Sequence, residues 1–380
     1  MQTIPLVDVR AEYEPLIPRL EAAFREVLDG KGFIRGPHYW AFQEEAAAYL
    51  GVKRTIGVAN GTDALVLALD ALGVGPGDEV ICPAFTFYAT AESIVRRGAT
   101  PVFAEIDPAT LNLDLDETAA KITDRTRAIV PVHLFGRLMD VRPLVDLGVP
   151  VLEDAAQAFG APGVAEHGAI STFSFYPTKN LFCFGDGGLI ATSDEELADR
   201  VQLLSFHGSR DKTEFDLVGY NSRLDELQAA FLRIFLPEVA GWNEGRRAAA
   251  ARYAELGLGE LVDIPQDEPG HVYHLFVCRS PERDAIRSAL AEAGIASATY
   301  YTTPLHLQPS LRYLGYEPGS LPATERAGAE NFSLPLWPGI PPEAQERVVD
   351  VVRSAVPTTG VGSTEPARSA GAGLAGAGAD

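Results

Sequence analysis

Short apolar runs alternate along the chain with longer segments in which apolar residues recur at helical spacing. The short runs predict buried β-strands, and the longer segments predict amphipathic helices. This alternation is typical of a parallel sheet with crossover helices, which places the chain in the α/β class. The predicted strands are 80–83, 101–104, 128–132, 149–152, 172–175 and 188–191, and the helices predicted in the same part of the chain are 61–72, 89–97, 195–204 and 224–235.

The pattern changes beyond about residue 242. There the periodicity predicts helices at 244–256, 282–293 and 342–356 and one strand at 274–278. We therefore expect a large domain in residues 1–241 and a small α+β domain in residues 242–357, with the N-terminal helices as candidates to pack against the small domain. Residues 358–380 are rich in glycine and alanine and are predicted to be disordered.

Composition and charge narrow the range of functions. The chain has 380 residues, of which 46% are hydrophobic, so it can bury a large core. Its 31 basic and 52 acidic residues give a formal charge of −21. A surface so negative repels phosphate backbones and anionic lipids, which argues against nucleic acid and membranes as partners. Any anionic substrate must therefore meet a locally basic patch.

The cysteines and the first ten residues indicate the cellular compartment of the protein. Cys82, Cys183 and Cys278 are far apart in the sequence and provide neither a disulfide framework nor a metal-binding pair. The first ten residues include Asp8 and Arg10 and lack the basic start and apolar core of a signal peptide. No window of about 18 apolar residues could span a bilayer. We expect a cytoplasmic protein without a bound metal.

A lysine and a carboxylate suggest a specific chemistry. Lys179 follows the aromatic-rich run 172–178, and the acidic-polar cluster 153–157 closes the preceding apolar strand. A lysine amine can form a Schiff base with an aldehyde cofactor, and a carboxylate such as Asp154 can hold a pyridine nitrogen protonated. Pyridoxal phosphate (PLP) requires both groups. The pairing therefore predicts a PLP site with Lys179 and Asp154 as its catalytic residues.

Two further segments would serve such a cofactor. A helix N-terminus favours an anion such as the cofactor phosphate, and segment 60–65 supplies one, in which Gly61 allows close approach and Thr62 adds a hydroxyl. The alternative is an ordinary N-capped helix. The aromatic-rich segment 83–90 directly follows a strand and could lay a ring against the pyridine, with buried core aromatics as the alternative.

A glycine-rich segment and a histidine pair are weaker candidates for binding sites. Segment 73–77 follows a helix and precedes a strand, the reverse of a Rossmann turn, so we interpret it as a turn. His271 and His274 suggest a metal, but this spacing in extended chain places side chains on opposite faces, and a third ligand is missing. We interpret both as core or surface histidines.

In this order, the segments resemble the DegT family of nucleotide-sugar aminotransferases, which belongs to the PLP-dependent fold-type I superfamily. The resemblance covers residues 7–356. Its most specific segments are 153–158, 173–181, 185–188 and 219–230. It implies an α/β fold in which a large domain contains a mainly parallel seven-stranded sheet and a small C-terminal domain is α+β.

The resemblance also implies roles for individual residues. Lys179 matches the lysine that holds PLP as a Schiff base, Asp154 the carboxylate on the pyridine nitrogen, and Gln157 the contact to the phenolic oxygen. The other cofactor-binding positions are Gly61, Thr62, Asp63 and Ser174 at the phosphate and Phe87 on the ring face. Asn221 matches a residue that the neighbouring subunit lends to the phosphate. The implied assembly is therefore a homodimer with two shared active sites.

The activity that the resemblance implies is transamination. Glutamate would leave its amine on the cofactor as pyridoxamine phosphate (PMP), and a keto-deoxysugar on a nucleotide diphosphate, as in dTDP sugars, would receive it at C-3 or C-4. Lys179, once free, would act as general acid and base. Arg210, Lys212 and Arg223 lie where the family forms the shared entrance and are candidates to bind the diphosphate, with solvated surface charge as the alternative.

Several features leave alternatives open. Segment 182–184 departs from the smaller residues common in the family, so the shape of the sugar pocket is open. Sugar dehydratases of this family carry histidine in place of Lys179, which argues against that activity. Amino-acid lyases keep the lysine, but a desulfurase would need a mobile cysteine, and Cys183 lies too close to Lys179. A non-catalytic PLP-binding regulator is a third alternative, although the catalytic groups are intact and no helix-turn-helix module is apparent.

Overall fold

The computed structural model describes residues 3–356, and the disorder predicted for 358–380 lies outside this range. The strands are β1 (Arg54–Val58), β2 (Glu79–Pro83), β3 (Thr100–Ala104), β4 (Thr126–Ile129), β5 (Leu152–Asp154), β6 (Ile170–Ser174), β7 (Gly188–Thr192), β8 (Phe276–Arg279) and β9 (Asn331–Leu334). The α-helices are α1 (Val9–Tyr13), α2 (Ile17–Gly30), α3 (Pro37–Leu50), α4 (Gly61–Ala71), α5 (Ala89–Arg96), α6 (Leu115–Ala120), α7 (Arg142–Val145), α8 (Glu195–Ser205), α9 (Glu226–Phe235), α10 (Val239–Glu255), α11 (Arg283–Glu292), α12 (Pro322–Glu330) and α13 (Pro342–Ala355). Within residues 3–356, no helix combines the length and the apolar character needed to cross a membrane.

The first seven strands form one sheet. Hydrogen-bonded pairs give the orders β1-β7-β6-β5 and β3-β2-β4, and bridges between Ile129 and Val151 and between Val132 and Asp154 join β4 to β5. β7 runs antiparallel to β1 and β6, whereas β2 is parallel to β3 and β4, and β5 is parallel to β6. The mainly parallel seven-stranded sheet is therefore confirmed.

Helices cover both faces of this sheet because successive side chains of a strand point to opposite sides. On β7, Ile190 packs with α4 and α8, whereas Leu189 and Ala191 pack with α3 and α9. A sheet that is buried on both faces needs strands that are apolar throughout, which explains the continuous apolar runs in the sequence. The carboxyl ends of the parallel strands open at one edge, where ligands bind in folds of this type.

Two central strands end at positions that differ from the prediction. β4 ends at Ile129 instead of residue 132, because Pro131 has no N–H to donate to a neighbouring strand. β5 continues past residue 152 to Asp154, whose N–H donates to Pro131 O at 2.9 Å. The apolar pattern stops at 152 because carboxylates are rare inside a sheet. Glu153 and Asp154 are thus both part of β5.

The chain after the sheet forms a smaller unit with its own core. β8 and β9 pair antiparallel and pack with α10, α11 and α13 around the buried rings of Tyr253, Phe276 and Phe332. The strand predicted at 274–278 begins instead at Phe276. Tyr273 has a φ of 45°, which an extended strand does not allow, so the backbone turns before β8 begins.

The N-terminal segment packs against this smaller unit. Ile4 belongs to its core, and Glu12 of α1 forms a buried salt bridge with Arg246 of α10 at 2.8 Å. Helix α10 begins at Val239 and continues to Glu255. The change of domain predicted at residue 242 therefore falls inside a continuous helix, because the apolar pattern of its first turn merges with that of the preceding segment.

Candidate active site

A cavity of about 950 Å³ opens at the carboxyl ends of β2, β4, β5 and β6. It is lined by residues that follow these strands, by the N-terminus of α4, and by residues from the smaller unit. Among the lining residues are Gly61, Thr62, Asp63, Phe87, Asp154, Gln157, Ser174 and Lys179. All cofactor-binding residues predicted for the chain's own site therefore meet in one cavity, although the sequence separates Gly61 from Lys179 by most of the sheet.

Lys179 lies in the turn that follows β6. Its N–H donates to Tyr176 O at 2.8 Å, and the next residue, Asn180, donates to Asn243 Oδ1 of α10 at 2.7 Å and to Val272 O at 2.9 Å. These buried hydrogen bonds fix the backbone beside the lysine. Desolvation lowers the pKa of Lys179 to about 8, although the nearby Asp154 carboxylate acts in the opposite direction. An appreciable fraction of the amine is therefore uncharged near neutral pH.

Asp154 is buried at the end of β5. Thr90 Oγ1 of α5 donates to its Oδ2 at 2.9 Å, and the N–H of Ala156 donates to Oδ1 at 3.3 Å. Burial raises the pKa of Asp154, while these two hydrogen bonds and the charge of Lys179 lower it in part. The carboxylate faces a cavity that can admit a cation, and a protonated ring nitrogen placed there would stabilise its charged form.

Glu153, the residue before Asp154, points to the other face of the sheet. Its carboxylate lies 2.8 Å from His133 Nε2 and accepts hydrogen bonds from Gly168 N at 2.9 Å and Ala165 N at 3.4 Å. Burial raises the pKa of Glu153, but the hydrogen bonds from His133 and the two backbone N–H groups outweigh it and hold the pKa below its usual value. This carboxylate is closed off from the cavity.

The N-terminus of α4 lies at one end of the cavity, where its backbone N–H groups could bind an anion. Asn60 caps the helix by accepting a hydrogen bond from Asp63 N at 2.8 Å, which leaves the N–H groups of Gly61 and Thr62 without intrahelical acceptors. A Cβ on Gly61 would lie 2.7 Å from Ser174 Cβ, so only glycine lets α4 approach β6 this closely. Because the Asp63 N–H already donates to Asn60 and its side chain is acidic, Thr62 and Ser174 are better placed than Asp63 to bind an anion.

Aromatic and amide groups line the side of the cavity near β2. Phe87 is 55% exposed, and its ring centroid lies 6.0 Å from that of Tyr301. Gln157 Oε1 accepts from Phe135 N at 2.7 Å, and its Nε2 donates to the Tyr301 hydroxyl at 3.3 Å. A flat ligand could therefore lie against Phe87 with its polar edge at Gln157.

Four residues predicted to serve the site lie outside this cavity. Asn221 is exposed and forms a β-bridge with Phe206. Lys212 Nζ and the Arg223 guanidinium lie 4.9 and 5.5 Å from the centroid of the Phe206 ring. Arg210 is exposed in the same loop. The chain does not bring these four residues to its own lysine.

Three residues of the cavity region were not predicted. Thr90, which donates to Asp154, lies inside the aromatic-rich segment 83–90, where a buried hydroxyl was a usable signal. Tyr301 meets Gln157 from the smaller unit, and His274 Nε2 lies 3.5 Å from Lys179 Nζ. His274 was interpreted from the sequence as a core or surface histidine, and nothing local marks Tyr301. Both residues reach the cavity only through the packing of the smaller unit on the sheet.

These residues fit pyridoxal phosphate. Lys179 supplies a desolvated amine, Asp154 a buried carboxylate with room for a cation, and the N-terminus of α4 a cradle that a side chain at Gly61 would fill. The fold and the site together define a PLP-dependent aminotransferase of fold type I. The chain belongs to the DegT/DnrJ/EryC1/StrS aminotransferase family, whose sequence profile matches residues 17–353. The predicted family, fold and enzyme class are therefore confirmed.

Similar proteins match nearly the whole chain in sequence, and a solved structure matches it in fold. A "Pleiotropic regulatory protein" of Geobacillus stearothermophilus is 45% identical over 92% of this chain and 97% of its own length. The dTDP-3-amino-3,4,6-trideoxy-alpha-D-glucose transaminase of Streptomyces venezuelae is 44% identical over 92% of this chain and 95% of its own length. The crystal structure of S. venezuelae DesV in complex with a ketimine intermediate superposes with a TM-score of 0.89 at 42% identity, covering 93% of this chain and 98% of DesV.

Proposed function

We propose that the enzyme uses PLP to transfer an amine from L-glutamate to C-3 of a dTDP-linked keto-deoxysugar, in the biosynthesis of an amino sugar. The observation that carries this proposal is the placement of the Lys179 amine and the Asp154 carboxylate in one cavity that begins at the N-terminus of α4. The choice of a dTDP sugar and of C-3 is supported by the similarity to the S. venezuelae transaminase.

The geometry supports the roles that the family resemblance implies for the residues that would hold the cofactor. Lys179 would bond the aldehyde carbon, Asp154 would face the pyridine nitrogen, and Gln157 would contact the phenolic oxygen. The phosphate would lie at Gly61, Thr62 and Ser174, with Phe87 against the ring. When bound, PLP supplies an electron sink for the carbanion that forms at the carbon carrying the amine.

The chain's own groups perform the proton chemistry. With its pKa lowered to about 8, Lys179 can act both as a nucleophile and as a carrier of one proton near neutral pH. Thr90 donates to Asp154 and keeps that carboxylate oriented toward the cavity. The cavity of about 950 Å³ falls within the usual range for small-molecule sites of about 300 to 1,000 Å³ and leaves room for a substrate beside the cofactor.

A homodimer would complete the site. With a net charge of −21, the chain needs local cations to bind a nucleotide diphosphate, and Arg210, Lys212 and Arg223 lie outside its own cavity. Arg223 Nε and Nη1 are buried and have no hydrogen-bond partner within residues 3–356, which indicates an anion or a second chain. Exposed apolar side chains on α2 and the loop after it are Phe24, Leu28, Phe33 and Ile34. We infer that this surface pairs two copies, and that each copy lends Asn221 and these cations to the other's cavity.

The substrate is tested by direct assay. The purified enzyme is incubated with L-glutamate and, separately, with dTDP-3-keto- and dTDP-4-keto-6-deoxyglucose, and the products are identified by mass spectrometry and NMR. We expect an amino sugar only from the 3-keto substrate. Amination of the 4-keto sugar alone would move the reaction to C-4, and the same assay with UDP-linked sugars tests the nucleotide.

The shared site is tested with mixed dimers of Lys179→Ala and Asn221→Asp. Neither homodimer should turn over well, because one lacks the Schiff base and the other sets a carboxylate against the phosphate. In a mixed dimer, the proposal places both defects in one cavity and leaves the second intact, so activity should return to about one working site per dimer. If subunit exchange is verified and no activity returns, Asn221 acts within its own chain.

A PLP-binding regulator is the second candidate, because the Geobacillus relative is named a regulatory protein. The two functions differ in turnover. A regulator would bind PLP through Lys179 without producing 2-oxoglutarate from glutamate under any of the sugar conditions above. Production of 2-oxoglutarate in step with an amino sugar would exclude a purely regulatory role.

A further inference from the structure

We propose that His274 is a positioning residue that favours the uncharged form of the free Lys179 amine. The inference rests on the proposed role of Lys179 as the Schiff-base lysine. His274 comes from the segment before β8, 95 residues after Lys179, and its Nε2 lies 3.5 Å from Lys179 Nζ, a long hydrogen bond of the kind that free catalytic groups often show before ligands bind.

A close backbone contact brings His274 to the lysine. Val272 N donates to Gly136 O at 2.8 Å, and Gly136 has a φ of 91°, which favours glycine. A Cβ on Gly136 would lie 2.7 Å from His274 N. The segment can therefore approach the edge of the sheet only because residue 136 lacks a side chain.

The second ring nitrogen of His274 has no partner. Its Nδ1 is buried and accepts or donates no hydrogen bond within residues 3–356, and the same holds for Nη1 of Arg246. The other contacts of Arg246 are to Glu12, whose Oε1 and Oε2 lie 2.8 and 3.0 Å from its Nη2. A buried polar nitrogen without a partner is destabilising, so it matters which ring nitrogen carries the proton.

The available hydrogen-bond partners favour one neutral tautomer of His274. Burial, Lys179 and Arg246 together hold the pKa of His274 well below its usual value, so the ring is neutral. An N–H on Nδ1 would be buried without an acceptor, whereas an N–H on Nε2 lies within reach of the Lys179 amine. The lone pair therefore belongs on Nδ1 and the proton on Nε2. An Nε2–H can donate to the amine of Lys179 only when that amine is uncharged.

This arrangement adds to the effect of desolvation on Lys179. Among the groups near the amine, Asp154 favours the ammonium form, whereas an Nε2–H of His274 would favour the free amine. Because these neighbours act in opposite directions, replacement of His274 by a group that can also accept a hydrogen bond should raise the pKa of Lys179.

His271 provides a matched control. It is as deeply buried as His274, but its ring stacks on Tyr273 with centroids 3.8 Å apart, and its Nδ1 accepts from Tyr273 N at 3.1 Å. His271 does not line the cavity. A glutamine at either position removes a buried imidazole. An effect on the Lys179 pKa that comes only from lost packing should therefore appear in both variants.

The experiment measures the pKa of Lys179 directly. Wild type, His274→Gln and His271→Gln are loaded with pyridoxamine 5′-phosphate, which leaves the lysine amine free, and are trace-labelled with acetic anhydride at a series of pH values. The labelled peptides are quantified by mass spectrometry, with the exposed Lys53 as internal reference. We expect half-maximal reactivity of Lys179 near the pKa of about 8 in wild type and in His271→Gln. In His274→Gln it should move up by about one pH unit, the size of one hydrogen bond.

Each outcome decides the proposal. An unchanged Lys179 titration in His274→Gln, or an equal shift in His271→Gln, would overturn it, since a structural histidine would affect only stability. If His274→Gln does not fold, His274→Asn is measured in the same way with the same expectation. The readout does not depend on sugar turnover. Failure of PMP to bind would contradict the proposed function, whereas PMP binding without the shift would contradict only the role of His274.

Discussion

Glu153 and Asp154 are successive residues at the end of one strand, and both carboxylates are buried, yet their surroundings differ. Glu153 receives hydrogen bonds from His133, from the Ser171 hydroxyl and from two backbone N–H groups, all within the fold. Asp154 receives one from Thr90 and one from the backbone and otherwise faces the cavity. The pKa of Glu153 is lowered and that of Asp154 is raised.

The difference distinguishes a carboxylate that stabilises the fold from one that is prepared for a ligand. A buried charge that the protein satisfies completely has no capacity left for chemistry. A buried carboxylate that has few hydrogen-bond donors and faces a cavity would be stabilised by a bound cation. Sequence position alone does not separate the two, since they are adjacent in the same segment.

The largest effect is expected on the cavity side, from Lys179→Ala. Removal of the amine eliminates both the covalent link and the proton carrier, so transamination should fall by at least about 10³-fold. Borohydride reduction of the wild-type protein with PLP, followed by peptide mapping, should place the pyridoxyl label on Lys179. A label on any other lysine would show that the site has been assigned to the wrong residue.

Asp154→Asn is expected to have the next largest effect. The amide is neutral and no longer stabilises a protonated pyridine, so turnover should fall by about 10²-fold or more while PLP still binds through Lys179. Thermal stability of the PLP-free protein should be retained, because the variant removes an incompletely satisfied buried charge. Near-normal turnover would contradict the role given to Asp154.

Glu153→Gln should reduce the stability of the protein more than its activity, the opposite of Asp154→Asn. The variant breaks a buried pair with His133, so the free energy of unfolding should fall by about 2 to 3 kcal/mol, while turnover changes only a few-fold. Chemical denaturation and the transaminase assay on the same samples measure both quantities. If Glu153→Gln loses activity as Asp154→Asn does, the two faces of β5 are not functionally separate.

The pH dependence of this stability difference has a defined sign. Because the folded-state pKa of Glu153 is lowered, its contribution is complete above the unfolded-state pKa of about 4.3 and is lost as the pH falls through the folded-state pKa. The gap in unfolding free energy between wild type and Glu153→Gln should therefore be constant near neutral pH and close under acidic conditions.

The sequence was sufficient for features that depend on local pattern. The placement of Lys179 and Asp154 at one edge of the sheet could be predicted, because each follows a visible apolar run and the carboxyl ends of parallel strands share an edge. The helix at Gly61 could be predicted from its cap and from the apolar residues after it. Alternation along β5 even requires Glu153 and Asp154 to face opposite sides, although it does not say which side holds the cavity.

Features that depend on packing between distant segments could not be predicted in the same way. His274 reaches Lys179 only because its segment docks on Gly136, and neither periodicity nor spacing encodes that contact. The interpretation of His274 as an ordinary core or surface histidine was reasonable for its segment but omits its neighbour across the cavity. The roles of Asn221, Arg210, Lys212 and Arg223 depend on a second copy of the chain and stay predictions.

The uninterrupted course of α10 has a mechanical consequence. Hinges in proteins are short segments that absorb large changes in φ and ψ, and a continuous helix offers none at residue 242. The same helix is fastened to Asn180, next to the lysine, through Asn243, and to α1 through Arg246. A displacement of the smaller unit would therefore be transmitted through α10 to the turn that carries Lys179.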